Sequence, residues 1–499
     1  MRARRAVRPR AGRRSPVLVV LLTVALTACD REQWRPDLPP PHTMELPAPT
    51  FQRPDPAQLQ QTLANGLVAY VVEDHTTPLV TVAGIVGAGS ADGRVAGASE
   101  AWAAALRAGG TEVRSRLEVA RLLDDMVAEL SVTQTPEETR VVLNVPAEDW
   151  EAALGLLADL LQRPAVQATD VTRISARGTR GIDASAAAGG ESGPVLYEGS
   201  LASAVDVFTA TLLDGHPYGT RAITPSRLGV ADAVAFQQSW VVPSNVALAV
   251  GGDLDGAAAR AAVEREFSGW RGPAPAERAA VPEVSGDASR RLLLLDADKL
   301  QGWLVLGHEL PVVPLEDEAP LQVMNYILGG GHFDTRLFRA TRDLRGLTND
   351  DSGFPVQSIR GPGTYTFRTY GRPEVIPLLL HLTLEEIERI RSGPVSEEEL
   401  FVAQGALADG EYTLAYRDGH VTALSFAEEW IRYGSHERSA SYPERVRAVT
   451  AEAVRAAAAA YLHPERMDAV LIGPVDAILA APPLEGEPRL DAFGTLVRR

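Results

Sequence analysis

Gly97-Ala98-Ser99-Glu100-Ala101-Trp102-Ala103-Ala104-Ala105-Leu106-Arg107-Ala108-Gly109-Gly110-Thr111 is the stretch around which the rest of the chain can be organised. Its alanines, Trp102 and Leu106 sit between glycines at both ends, which predicts one short buried helix. The apolar run Leu79 to Val86 ahead of it is rich in β-branched residues and reads as a strand. Further upstream, Asn65-Gly66 lies between apolar runs as a hairpin-type turn, and Leu67 to Val72 reads as another strand.

Working downstream, Leu117 to Leu130 puts Val119, Leu122, Leu123, Met126, Val127 and Leu130 on one helical face, suited to packing on a sheet. Ser131 to Thr135 and Thr139 to Val145 alternate as a strand pair. Pro146 opens a helix over Ala147 to Leu161, with Trp150, Leu154, Leu157 and Leu161 facing inward. Val171 to Ala187 is helical in its first part, and Ala184 to Gly193 is a small-residue loop. Pro243-Ser244-Asn245 turns the chain into a buried strand that ends at Gly251-Gly252. This order of elements is α+β, with a mainly antiparallel sheet covered by helices on one side.

The pattern then restarts. A Pro- and Ala-rich segment, Arg271 to Gly286, reads as a linker. Pro243 and Pro464, Gly252 and Gly473, and Asp255 and Asp476 are all separated by 221 residues, which implies two related domains in tandem. In the second, Leu321 to Gly331 reads as a helix closed by glycines. No Gly-Lys-Ser/Thr follows them, so a helix C-cap explains the glycines better than a phosphate loop.

At 499 residues, with 45% apolar and 23% charged residues, the chain has the composition of a folded globular protein larger than one ordinary core. The first 28 residues carry seven arginines and no acid, then the apolar run Val17 to Leu26 and small residues before Cys29. The run is about half of the ~20 residues needed to cross a bilayer, so this is read as a signal peptide. Leu26-Thr27-Ala28-Cys29 resembles the lipobox of bacterial lipoproteins, which implies lipidation at Cys29 and an exported, membrane-anchored protein facing the periplasm or cell exterior. Eight prolines between Asp30 and Pro56 make a stiff tether. A formal charge of −17, or −24 once the seven leader arginines are removed, argues against nucleic acid as a partner and leaves basic peptides as possible guests. The organisation is therefore a leader over 1–28, a tether over 29–58, a first domain over 59–275, a linker over 276–287, a second domain over 288–484 and a tail over 485–499.

The strand-then-helix entry, the Gly-Gly-Thr ending at 109–111, the His216-Pro217-Tyr218-Gly219-Thr220 and Trp240 to Asp253 segments and the tandem repeat together resemble the insulinase-like (pitrilysin, M16) zinc peptidases. The resemblance covers about Leu59 to Leu479 and implies two similar α+β domains. The family motif is His-x-x-Glu-His on a helix, where positions i, i+3 and i+4 share a face: two imidazoles grip zinc and the Glu activates water. Here those positions are Glu100, Ala103 and Ala104. Aligning Arg177-Gly178 with the family's Arg-Gly puts Asp183 where active relatives carry the third ligand, a Glu. Arg342 to Asn349 resembles the family's Arg-x-x-x-x-Leu-x-Tyr segment, whose Arg and Tyr hold substrate; Arg342 and Leu347 match, and Asn349 replaces the Tyr. Arg342 either holds a peptide carbonyl or pairs with Asp343 or Asp350. His216 reads as a turn residue.

No two of the nine histidines lie within four residues of each other, so no other helical zinc motif exists. There is no Gly-x-Ser-x-Gly elbow, and the single Cys is Cys29. The resemblance implies a non-catalytic subunit that forms part of a peptide-binding chamber with an active partner, with no cofactor of its own and zinc only in that partner. Two other readings stay open: a stand-alone peptide-binding or scaffold lipoprotein, and a metallopeptidase with an unrecognised site.

Overall fold

A computed structural model describes residues 51–178, 186–187, 196–197, 199–219, 227–284, 290–331, 333–486 and 488–498, and the chain from Phe51 onward forms one compact unit. The leader, most of the tether and Cys29 lie outside the described residues. Among those described, no helix is long and apolar enough to cross a membrane.

The first half contains strands β1 (Gln60–Thr62), β2 (Val68–Glu73), β3 (Leu79–Val86), β4 (Glu129–Gln134), β5 (Thr139–Pro146), a two-residue pair β6 (Ala186–Ala187) and β7 (Leu196–Tyr197), and β8 (Val246–Gly252). Its helices of nine residues or more are α1 (Ala98–Arg107), α2 (Arg116–Asp125), α3 (Trp150–Gln162), α4 (Ala168–Gly178), α5 (Leu201–Leu212), α6 (Val230–Trp240) and α7 (Gly256–Phe267). The second half adds β9 (Arg291–Asp296), β10 (Gly302–Leu310), α8 (Leu315–Asn325), β11 (Asp351–Val356), β12 (Gly363–Gly371), α9 (Ile376–Ser392), α10 (Glu397–Gly405), α11 (Gly419–Tyr433), α12 (Glu437–Arg447), α13 (Ala451–Tyr461), β13 (Asp468–Gly473) and β14 (Thr495–Arg498).

The two six-stranded sheets repeat one another. The first runs β1-β2-β8-β3-β5-β4 and the second, read the same way, β14-β9-β13-β10-β12-β11. All neighbours in the first are antiparallel except β2 with β8; in the second, β9 is parallel to both β13 and β14. The 221-residue offset carries the short helical turn Pro243–Asn245 onto Pro464–Arg466, and α6 onto α13. The fold is therefore α+β with two related halves.

The layering differs from the sequence expectation, because helices cover both faces of each sheet. One face of the first sheet packs on α1, α3, α6 and α7. Its other face, with Val68, Tyr70, Ala83, Ile85, Ala247 and Ala249, receives Ala423, Phe426 and Ala427 of α11, a helix of the second half. The reverse exchange places Ala204, Val207 and Phe208 of α5 against Leu293, Leu295, Val305, Val470 and Ile472 of the second sheet. Side chains alternate across a strand, so each sheet has two apolar faces to bury, and one half alone covers only one of them. Gly251 has to be glycine here: a Cβ would stand 2.2 Å from the Gly419 carbonyl oxygen where α11 begins.

Three further elements differ from expectation. The helix foreseen over 117–130 ends at Asp125; Val127 takes φ +49° and is 82% exposed, and Glu129 already starts β4. The small-residue stretch Ala184 to Gly193 is not loop alone: it includes β6, which pairs with β7 just beyond it. The tail returns to the fold, with Leu490 and Phe493 buried and β14 joined to β9.

Candidate functional site

Helix α1 forms as foreseen. Gly97 precedes it with φ +89°, a conformation that favours glycine, and Gly109 follows at φ +74°. Ala98, Ser99 and Ala101 to Leu106 are all buried. Trp102 meets the Phe236 ring of α6 at 5.4 Å between centroids. Of the three positions that decide the chemistry, Ala103 is fully buried and Ala104 is 3% exposed, both within the apolar core. Glu100 is half-buried and accepts a hydrogen bond from the Ser99 hydroxyl at 2.7 Å. α1 also packs on α4, where an Arg116–Asp170 ion pair ties α4 to α2. Asp183 lies outside the described residues.

His216 is a turn residue. Its Nδ1 accepts from the Tyr218 backbone N–H at 3.0 Å and its Nε2 lies 3.0 Å from the Pro282 carbonyl oxygen, so both ring nitrogens are used within the turn and its neighbour. Arg342 lies in a π-helical turn, Arg339–Asp343. Its guanidinium stacks on Phe338 at 4.6 Å and Phe333 at 5.5 Å and reaches Asp343 at 3.8 Å. Asn349 is exposed, just ahead of β11. The structure does not bring Arg342 and Glu100 together as ion-pair or hydrogen-bond partners. Among the described residues, no group of three or more His, Cys, Asp or Glu side chains could hold a metal ion.

Sequence reasoning missed a charged cluster beside the start of α1. The Glu137 carboxylate accepts from the Tyr218 hydroxyl (2.7 Å), the Ile359 N–H (2.9 Å) and the Arg360 N–H (2.7 Å). Arg360 grips Asp92 with two nitrogens, at 2.9 and 3.2 Å. Arg278, from the segment read as a linker, also reaches Asp92, donates to the Gly87 carbonyl and lies 4.9 Å over the Trp240 ring. Burial, then the neighbouring Arg360, lowers the Arg278 pKa. The linker is thus strapped to the first half. Residues 92, 137, 218, 278 and 360 belong to separate connections, and no local spacing signals their meeting.

Comparison with known proteins follows the same outline. The description "Insulinase (Peptidase family M16)" matches residues 68–184, and "Peptidase M16 inactive domain" matches residues 227–407. The chain belongs to the M16 peptidase family. Curated relatives include uncharacterised zinc proteases of Mycobacterium tuberculosis and Mycobacterium bovis, each 27% identical over 398 residues, covering 78% of this chain and 87% of theirs. One from Mycobacterium leprae is 26% identical and covers 83% and 91%. Among solved structures, a peptidase M16 inactive domain from Pseudomonas fluorescens superposes with a TM-score of 0.68 at 23% identity, covering 85% of this chain and 99% of that one. A protease from Helicobacter pylori gives 0.67 at 15% identity, covering 83% and 98%. These two structures bear on the fold.

The metal this family implies is zinc, and the donor set on α1 does not fit it. A catalytic zinc site takes three protein ligands and a water, whereas α1 offers one carboxylate and two methyl groups enclosed in the core. This chain is an M16 member without the catalytic motif.

Proposed function

We propose that this chain is the non-catalytic subunit of an M16-type zinc metallopeptidase complex, forming part of the chamber wall around an unfolded peptide while an active partner supplies zinc and base. One observation carries the reading: α1 keeps its length, its glycine boundaries and its packing, while Glu100, Ala103 and Ala104 occupy every motif position. Arg342, held over Phe338 and Phe333, is the side chain offered to peptide, and Asn349 marks where its usual Tyr companion is missing. Anchoring through lipid on Cys29 would hold the complex at a bacterial membrane, facing the periplasm or exterior, with no nucleic-acid partner. The test is expression of the full chain beside an active His-x-x-Glu-His homologue from the same genome. Co-purification, with loss of peptide hydrolysis when this chain is deleted, is expected; a strictly monomeric chain whose deletion leaves hydrolysis intact refutes it.

A further inference from the structure

Asp351 opens β11 at the edge of the second sheet, yet it is 1% exposed. Its Oδ2 stands 3.4 Å from the Thr383 hydroxyl of α9, and the Thr341 hydroxyl of the Arg339–Asp343 turn also faces the carboxyl group. Oδ1 is buried and has no hydrogen-bond partner. A hydroxyl carries one proton, and both of these are spent. Thr383 donates to the Leu379 carbonyl and Thr341 to the Leu337 carbonyl, each at 2.8 Å. A carbonyl cannot donate, so only hydroxyl lone pairs are left for Asp351.

An ionised Asp351 would be an enclosed anion with no donor at either oxygen, whereas a protonated one can give its O–H to a threonine. The charged groups on the elements around it offer no relief. Asp350, beside it in the chain, is the charge whose field reaches it, and that charge is negative. On β12, Arg368 lies 4.4 Å over the Phe354 ring. On α9, Glu386 is held by Arg389, and at the entry to the turn Arg336 is held by Glu399. Arg342 and Asp343 face each other, and Tyr326, from the turn Tyr326–Gly330 packed on β11, brings a neutral phenol. Burial, opposed by the Thr341 contact and helped by Asp350, lifts the Asp351 pKa well above the usual carboxylate range.

We infer that Asp351 keeps its proton in the folded chain and that loss of this proton frees the turn carrying Arg342 from α9, so that the presentation of Arg342 depends on pH. Only the meaning of that release for a peptide rests on the proposed role of Arg342; the proton and the turn are tested without peptide or partner. In an opened turn the carboxyl group meets water and ionises near its ordinary value, so opening becomes up to about tenfold easier per pH unit above it. Hydrogen exchange on the full chain reads the Leu344 and Leu347 amides, which close the turn on the Arg339 and Thr341 carbonyls, against Val305 and Leu306 in the middle of the second sheet. The protection of the first pair relative to the second should fall about tenfold or more between pH 5 and pH 8. Asp351→Asn supplies an N–H donor that cannot ionise and should hold that ratio within about threefold over the same range. Infrared spectra at pH 6 should show the C=O band of a protonated carboxylic acid that Asp351→Asn removes. A constant ratio in the wild type, an equal fall in Asp351→Asn, or no band lost in that variant would overturn the inference. The wild-type ratio decides the matter even if Asp351→Asn fails to fold.

Discussion

Phe426→Ala tests whether the exchanged helices make the two halves one cooperative body. Phe426 is fully buried on α11 and meets Tyr70 of β2 at 5.8 Å, Tyr416 at 5.3 Å and His436 at 5.1 Å between centroids. Truncating a buried Phe costs about 3–5 kcal/mol from lost transfer energy and the cavity left behind. Unfolding entropy near 2.1 cal/mol/K per residue over about 450 residues is ~0.9 kcal/mol/K, so a loss of ~4 kcal/mol lowers Tm by only about 4 °C. Urea unfolding is therefore the better assay, read by far-UV circular dichroism and by hydrogen exchange resolved to the strands. Because α11 belongs to the second half and covers the first sheet, β2, β3 and β8 should lose protection together with β10 and β13, in one coincident transition. Phe208→Ala on α5, fully packed on the opposite sheet, should produce the same pattern. A loss under about 1 kcal/mol, or lost protection confined to the first sheet, would refute the interlock and make α11 a local appendage.

Other outcomes follow from named contacts. Arg360→Ala removes one of the two arginines on the enclosed Asp92 carboxylate and leaves Arg278 beside it, so it should cost about 2 kcal/mol, with Asp92→Ala in the same background adding little; a double-mutant cycle by urea unfolding measures the coupling. Burial pushes the His308 imidazole down to about 4, so an unfolded chain binds its proton first as the medium is acidified. Its contribution is complete above pH 6.5 and is lost as pH falls toward 4, about 3 kcal/mol in all, and His308→Gln should flatten the stability profile across that window. Combining Glu100→His, Ala103→Glu and Ala104→His should destabilise the chain by about 3 kcal/mol or more, because a carboxylate and an imidazole would enter the enclosed core. Metal analysis after dialysis should find no retained zinc, and stoichiometric zinc with intact stability would overturn the account of α1.

Much of the architecture was legible because punctuation survives where packing demands it. Asn65-Gly66, Gly97, Gly251-Gly252 and the 221-residue offset marked strand ends, helix boundaries and the repeat. Helical periodicity shows that a face is apolar but not which sheet it covers, so nothing in residues 201–212 or 419–433 indicated that they change halves. Val127 was misassigned for a related reason: its spacing continues the α2 stripe, yet the backbone reverses there to start β4. The loss of the metal ligands was readable directly at Glu100, Ala103 and Ala104. The Glu137–Arg360–Asp92 cluster was not, because it depends on three connections meeting in space.

Helix exchange also sets an order of events during synthesis. The strands of the first sheet are complete at Gly252, but the helix that covers its second face ends at Tyr433, 181 residues later. At about 5–20 residues per second that interval is roughly 10–35 s, during which Val68, Tyr70, Ile85 and Ala249 have no lid from their own half. Such long-range closure is slow and leaves sticky surface exposed meanwhile. A chain cut short anywhere before residue 433 keeps the second face of its first sheet uncovered and should aggregate rather than fold as a working half.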